Sequence, residues 1–184
     1  MTSPKGLETR IPLRQGQTAS FSQNVLRIKG KKGEVSREIA HPMLGVSVEN
    51  GEIVMNTQRP TKNFKRMLYT HDAHVRNLVR GADEGHVYTL KICASHFPMT
   101  VQVSGTQFIV KNFLGEKFPR TLNLKAGAAV KVEGLIITVE SADKETAGIV
   151  ASDIEKLMRR PGFDPRIFQD GIYITSKDGK GVSE

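Results

Sequence analysis

The chain has one cysteine and five histidines, the side chains best suited to nucleophilic or metal chemistry near neutral pH. Cys93 and His96 could form a thiol and its general base. Both lie in an alternating stretch that we predict to be a β-strand, in which residues three positions apart point to opposite faces. Their side chains would therefore diverge, and a small buried thiol is the favoured interpretation of Cys93.

His71 and His74 lie one helical turn apart, a spacing at which two imidazoles could bind one metal ion. The sequence has no cluster of cysteines or carboxylates beside them, so packing of His71 on the apolar side of a predicted helix is favoured. The glycine-lysine turn at residues 30–33 lacks the terminal Lys-Ser or Lys-Thr of a nucleotide-phosphate loop. We predict no active site, no cofactor and no metal ion.

Basic side chains are abundant in the chain, which has 27 Lys and Arg against 19 Asp and Glu and a net charge of +8 at pH 7. Residues 1–81 contain 14 Lys and Arg against 6 Asp and Glu, whereas residues 82–184 contain 13 of each. A field of this sign favours polyanions, because each neutralised phosphate releases counterions. The candidates for phosphate contact in the first half are Lys31, Lys32, Lys62, Lys65 and Arg66.

Two hairpins present basic turns in similar sequence contexts. Residues 25–29 alternate, enter a turn that contains Gly33-Glu34, and leave it through a second alternating run. Residues 108–111 enter a turn that contains Gly115-Glu116 and leave it in the same way. The recurrence indicates an internal repeat, which decides the fold of the whole chain.

The correspondence continues downstream of the hairpins. Residues 46–49 precede a glycine turn and residues 53–55, and residues 130–133 precede a glycine turn and residues 135–139. A helix follows each pair: we predict one over residues 61–80, ended by Gly81, and one over residues 143–159, ended by Pro161.

The predicted fold is α+β, with two tandem repeated units that each pack a small, mostly antiparallel sheet against one helix. The predicted domains are residues 1–82 and residues 83–184. Residues 7–13 contain Pro12 and should form an edge strand, whereas the polar residues 175–184 should be a frayed tail or an arm that a partner orders.

The amino-acid composition indicates the cellular compartment in which the protein works. A single cysteine allows no internal disulfide and suits a reducing environment. The chain has no run of 18 apolar residues and a polar first segment, so we predict no signal peptide and no membrane contact. These observations favour a soluble cytoplasmic protein.

Three motifs and the tandem repeat carry a resemblance to a known family. The motifs are Asn-Phe-Leu-Gly-Glu-Lys at residues 112–117, Ala-Ser-His-Phe-Pro at residues 94–98 and Arg-Ile-Phe-Gln-Asp-Gly-Ile-Tyr-Ile at residues 166–174. Over roughly residues 7–177 the chain resembles large-subunit ribosomal protein six, in its archaeal and eukaryotic branch. The resemblance implies a structural, non-enzymatic protein of the ribosome, located on large-subunit rRNA beside the sarcin-ricin loop and near the translation-factor-binding region.

The resemblance also implies where RNA binds and which partners are present. The segment after the second helix should face rRNA phosphates, and the tip of the second hairpin is a further candidate. The rRNA-binding candidates in this half are Lys111, Lys117, Arg120, Lys156, Arg159, Arg160, Arg166, Lys177 and Lys180. Family members usually carry more basic residues where this chain has Phe163 and Ile167, which reduces the phosphate contacts expected there. The implied partners are large-subunit rRNA and neighbouring ribosomal proteins, with translation elongation factors as a further candidate.

Other interpretations stay open at this point. A basic adaptor that binds an acidic protein partner would show the same charge distribution, and an enzyme centred on Cys93 and His96 would require an activity that Cys93→Ser abolishes. Phe168 and Tyr173 could stack on a base or pack in the core, and the core is favoured for aromatics in an alternating apolar run. Asp170 precedes a glycine and should be a backbone acceptor or a partner of Arg166 rather than a catalyst.

Overall fold

The computed structural model describes residues 6–57, 61–164 and 166–182. The chain divides into two compact units, Met1–Gly85 and His86–Glu184. Each unit combines antiparallel strands with one long helix, which confirms the predicted α+β class. That the halves are separate folding domains remains a prediction. Neither helix in the described ranges has an apolar stretch that could cross a membrane.

The first unit contains two antiparallel sheets and the helix that follows them. Its elements are β1 (Leu7–Pro12), β2 (Thr18–Ser22), β3 (Val25–Gly30), β4 (Gly33–Glu38), β5 (Leu44–Glu49), β6 (Glu52–Thr57) and α1 (Lys62–Asp83). The strand orders are β1-β6-β5 and β2-β3-β4. The edge position of β1 confirms what Pro12 predicted, since proline cannot donate to a neighbouring strand.

The second unit also contains two antiparallel sheets. Its elements are β7 (His86–Cys93), β8 (Thr100–Ser104), β9 (Gln107–Lys111), a 3-10 turn (Phe113–Gly115), β10 (Arg120–Asn123), β11 (Ala128–Glu133), β12 (Ile136–Ser141), α2 (Lys144–Leu157), β13 (Gly171–Lys177) and β14 (Lys180–Gly181). The strand orders are β11-β12-β7-β13-β14 and β10-β9-β8.

The two units share one pairing scheme. The order β1-β6-β5 of the first unit matches β7-β12-β11 of the second, and β2-β3-β4 matches β8-β9-β10. A helix follows the last strand of each scheme, α1 after β6 and α2 after β12. The predicted tandem repeat is therefore confirmed, and β13 and β14 extend the second copy along the open edge of β7.

Helix α1 is longer than its sequence predicted. The prediction that Gly81 ends it is wrong, because α1 continues to Asp83 and both Gly81 and Ala82 are buried. The left-handed residue is Gly85, with φ of 79°, and its N–H donates to the Gly81 carbonyl at 3.0 Å. Burial of the last turn compensates for the low helix propensity of glycine. A local sequence pattern does not show this burial, so it placed the helix end too early.

Helix α2 begins at a capped end and covers the core of the second unit. The Asp143 carboxylate accepts hydrogen bonds from the N–H groups of Glu145 and Thr146 at 3.3 and 3.1 Å. Such a cap satisfies amides that have no partner within the helix. The buried side of α2, including Val150 and Ile154, packs in one cluster with residues of β7, β9 and β12.

The predicted frayed tail is ordered through residue 182, so that prediction is wrong. Strand β13 extends to Lys177, and β14 returns beside it after a turn at Asp178 and Gly179. The Asp178 side chain is only 8% exposed and lies 3.0 Å from Nδ1 of the buried His86, which fixes the turn to the unit. Residues 183–184 of the predicted tail lie outside the described residues.

Candidate nucleic-acid interface

Three loops meet at one end of the second unit. They follow β7, β9 and α2, and their described residues are 94–99, 112–119, 158–164 and 166–170. The Asn112 side-chain amide donates to the Pro98 carbonyl at 2.9 Å, and the Ser95 N–H donates to Asp170 at 2.6 Å. Because these bonds connect segments that are distant in sequence, the loops form one surface, which we call the loop surface.

Asp170 ties the first of these loops to the third. Its carboxylate is almost fully buried and accepts hydrogen bonds from the N–H groups of Ser95 and His96, from Ser95 Oγ and from His96 Nδ1. Burial alone would raise the pKa of Asp170, but the hydrogen bonds from His96 and Ser95 together lower the pKa well below its ordinary value. The predicted role of Asp170 as a backbone acceptor is confirmed, whereas Arg166 pairs with Asp164 instead.

Arg120 ties the second loop to the end of α2. Its guanidinium forms a two-bond ion pair with Glu116 at 2.7 and 2.8 Å and lies 4.4 Å from the centre of the Phe113 ring. It also donates to the carbonyls of Leu157 and Arg159 at 2.6 and 3.2 Å. A guanidinium with these partners and 19% exposure is a structural group, so Arg120 is poorly placed for the phosphate contact that the sequence predicted.

Aromatic rings form a continuous row within the loop surface. The Arg160 guanidinium lies 4.2 Å from the centre of the Phe163 ring, and Phe163 meets Phe168 edge to face at 4.8 Å. Phe168 in turn stacks on His96 at 5.1 Å with an interplanar angle of 30°. Since His96 is fixed by Asp170, the whole row is held in one orientation.

A cleft of about 630 Å³ opens next to this row, between the end of α2 and β13. Its walls are mainly apolar and aromatic, and include Met158, Phe163, Phe168, Ile172 and Tyr173. Glu155 also lines it and accepts the Ile174 N–H at 3.2 Å. We call this feature the α2–β13 cleft.

Most predicted cations of this half are exposed. Lys111, Lys117, Lys156, Arg159, Lys177 and Lys180 reach solvent, and they form no ion pair within residues 6–57, 61–164 and 166–182. Arg166 is also exposed, with its Asp164 pair at the surface. Arg160 is partly buried, 3.8 Å from Glu116. Lys117, Arg159, Arg160 and Arg166 lie in the loop surface itself.

The predicted cations of the first unit are all exposed, and they lie on its β3–β4 turn and on the first turns of α1. Lys31 pairs with Asp83 at 3.1 Å yet leaves 74% of its side chain exposed. Lys32, Lys62 and Arg66 are exposed, and the Lys65 ammonium lies 5.9 Å from the Tyr69 ring centre.

The arrangement around His96 does not match a nucleophilic triad. Ser95 Oγ and Asp170 both lie against the same ring nitrogen, Nδ1, so the imidazole is not placed between them to transfer a proton. Cys93 is a half-buried free thiol at the end of β7. His71 and His74 lie with ring centres 6.5 Å apart, and the described residues contain no group of three potential ligands placed for a metal ion.

Curated proteins of similar sequence identify the family. The chain is 40% identical over 97% of its length to large ribosomal subunit protein uL6 of Nanoarchaeum equitans, and covers 97% of that protein. It is 40% identical to uL6 of Methanosarcina mazei and 41% identical to uL6 of Methanococcus vannielii, in each case over 94% of this chain. The chain belongs to the uL6 family. The predicted resemblance to large-subunit ribosomal protein six is therefore confirmed, although no protein-family model matches the chain.

The uL6 alignments span both units, so the loop surface belongs to the part of the chain that the relatives share. Within this uL6 chain, sequence reasoning found the exposed cations but missed how they are supported. The role of Phe163 as the ring under Arg160 was not predicted, and neither was His96 as a partner of Asp170. No local pattern indicates either contact, because Arg160 and Phe163 lie beyond the end of α2 and His96 and Asp170 are 74 residues apart in the chain.

Proposed function

We propose that this uL6 protein is a structural component of the large ribosomal subunit that binds large-subunit rRNA through the loop surface. The observation that carries the proposal is the set of exposed cations on loops fixed from behind by Asp170 and Arg120. Its location is the ribosome, and with it the cytoplasm, and its role requires no catalysis.

Physical chemistry supports rRNA as the ligand of such a surface. Phosphate contacts from Lys and Arg position a protein on nucleic acid without reading the base sequence. A-form RNA is recognised largely by its shape and backbone, so a rigid surface with cations at fixed separations is the appropriate tool. Arg159 and Lys156, at the end of α2, supply two such cations without internal ion pairs among the described residues.

We propose that the loop surface lies near the sarcin-ricin loop and the translation-factor-binding region, and that neighbouring ribosomal proteins contact the rest of the chain. The exposed cations of the first unit, on the β3–β4 turn and α1, form a second rRNA contact. Translation elongation factors are a further candidate partner at the same region.

The phosphate contacts can be tested by the salt dependence of binding to transcribed large-subunit rRNA. For the double variant Lys156→Gln/Arg159→Gln we expect weaker binding, with the slope of log K against log salt lower by about 0.7–0.9 for each lost contact. Lys131→Gln, an exposed lysine on β11 outside the proposed contacts, is the matched control and should retain the wild-type slope. Equal slopes for the double variant and the wild type would remove these residues from the interface.

The choice of RNA over an acidic protein partner has a separate test. In a sucrose gradient of cell lysate the chain should sediment with the large subunit at moderate salt and dissociate only under a strong salt wash. Ribonuclease treatment should release it from the complex. Retention after ribonuclease, or sedimentation as a free small protein at every salt concentration, would favour the adaptor instead.

A further inference from the structure

We propose that the α2–β13 cleft receives one unpaired base of the rRNA, stacked against Phe163 and held by its phosphate at Arg159 and Arg160. The inference rests on the proposed function and adds a base-binding site to it. The cleft volume of about 630 Å³ lies within the range of about 300–1,000 Å³ typical of small-molecule sites, so the cleft has room for a base.

The stacking surface is the aromatic row beside the cleft. Phe163 is 39% exposed, the Arg160 guanidinium lies 4.2 Å from the centre of its ring, and Phe168 meets the ring edge to face at 4.8 Å. Every base has a π-face, and proteins that bind unpaired nucleotides use such rings as platforms. Because His96 and Asp170 fix the far end of the row, the platform is formed before RNA arrives.

Charge at the rim selects a nucleotide over an uncharged ligand. Arg159 and Arg160 both line the cleft, and Arg159 is exposed. Their guanidinium groups can bind a phosphate by paired hydrogen bonds while the attached base enters the apolar interior. An apolar peptide or a lipid tail would leave this positive rim without a complementary group.

Polar atoms inside the cleft can meet the edge of the base. The Glu155 carboxylate uses Oε1 for the Ile174 N–H, which leaves Oε2 for an amino or imino N–H of a base. Since the Ile174 N–H points away from β7, the backbone groups of Ile172, two residues earlier, face the same side. A peptide strand adding to this edge would meet a ladder position already occupied by Glu155, so a base is the better match.

A conservative variant separates stacking from charge. Phe163→Leu keeps an apolar side chain but removes the π-face, and we expect binding to large-subunit rRNA to weaken about five- to a hundredfold. The salt slope should stay at the wild-type value, because no phosphate contact is lost. Leu135→Ala, which shortens an exposed apolar side chain in the turn between β11 and β12, outside the loop surface and the cleft, is the control. A change below about twofold, or an equal loss in both variants, would overturn the cleft proposal.

Crosslinking of the wild-type chain gives a readout that needs no variant. After ultraviolet irradiation of the full chain bound to large-subunit rRNA, mass spectrometry should find a nucleotide on the peptides that contain Phe163, Phe168 or Tyr173. Binding with normal salt dependence but nucleotides only on other peptides would overturn the cleft and leave the proposed function intact. Absence of any rRNA binding would overturn both. A ribosomal protein segment crosslinked in the cleft of isolated subunits would identify a peptide as the occupant.

Discussion

Two charged groups, the buried Asp170 and the partly buried Arg120, hold the loop surface together. Asp170 collects N–H donors from the loop after β7, and Arg120 donates to carbonyls at the end of α2. Each meets backbone groups that have no partner in a helix or a strand, so each satisfies part of the hydrogen-bonding requirement of the loops. The positions of the exposed cations therefore depend on two charged groups that are mostly shielded from solvent, Asp170 and Arg120.

Replacement of Asp170 by Asn should destabilise the protein in a pH-dependent manner. Asn keeps the size but loses the charge, and we expect the free energy of unfolding at pH 7 to fall by about 2–3 kcal/mol. The pKa of Asp170 is lowered in the folded state, so its stabilisation is present above the unfolded pKa of about 3.9 and is lost as pH falls through the folded pKa. Urea unfolding between pH 3 and 7 should show the difference between variant and wild type shrinking below about pH 4. A difference independent of pH would contradict the charged role of Asp170.

Replacement of Arg120 by Gln tests the second of these charged groups. The variant leaves the Leu157 carbonyl without this donor and removes the two-bond ion pair of Glu116, and we expect a loss of about 2–3 kcal/mol in urea unfolding. The hydrogen bonds from Arg120 are the main cause that lowers the pKa of Glu116, and in the variant this carboxylate keeps the longer contact with the Arg160 guanidinium at 3.8 Å. Arg159→Gln, at an exposed neighbour, should leave stability unchanged. Equal stability of the two variants would mean that Arg120 does not support the helix end.

At the scale of elements, a hairpin closes the C-terminal end of the helix in both units by different means. In the first unit the β3–β4 turn does so with its backbone, since the Lys32 N–H donates to the Ala82 carbonyl at 2.9 Å. In the second unit the Arg120 side chain, at the start of β10, donates hydrogen bonds to the carbonyls at and just after the end of α2. The repeat thus preserves the contact between hairpin and helix while the atoms that form it differ.

The close approach in the first unit requires glycine at residue 30. A Cβ placed on Gly30 would lie 2.4 Å from the Ala82 carbonyl oxygen, so Gly30→Ala must push the hairpin from the helix. We expect a loss of about 1–3 kcal/mol, the usual effect of overpacking, measured by thermal or urea unfolding. Gly181→Ala on β14, where the added atom meets nothing within 4 Å, is the control. If both variants unfold alike, the contact between hairpin and α1 is not tight.

The elements that sequence predicted are those whose signals are local. Alternation of apolar and polar residues predicted the hairpins β3–β4 and β9–β10, and apolar periodicity predicted both helices. An element that is buried on one side has apolar residues at its own structural period, so the sequence alone shows it. The end of α1 and the β13–β14 turn were mispredicted because packing decides them: burial of Gly81 and the contact of Asp178 with His86 join distant residues. The internal role of Arg120 was not predictable either, because its contacts with Leu157 and Arg159 also join distant residues. The exposed cations were predictable because a charged residue in a turn or at a helix end usually lies at the surface.

Across the whole chain, net charge and fixed geometry point to different halves as the main RNA-binding part. The excess of basic residues lies in residues 1–81, whereas the loop surface and the α2–β13 cleft belong to the second unit. Salt screens a diffuse charge excess within about 8–10 Å at physiological ionic strength. Cations at fixed separations are less affected by this screening when they contact phosphates directly, so under the proposed function we expect the second unit to make the specific contact and the first unit to add a general attraction.

The tandem repeat leads to a last prediction, that the two halves unfold as separate domains divided near residues 82–85. Each unit has its own sheets, helix and buried side chains, which is the organisation expected of units that open independently. In hydrogen exchange on the full chain, Asp170→Asn should accelerate exchange of protected amides in residues 86–182 and leave those in residues 6–57 and 61–85 at the wild-type rate. Gly30→Ala should produce the reverse pattern. Equal acceleration in both halves would show one cooperative unit, and the repeat would then be a feature of topology without independent stability.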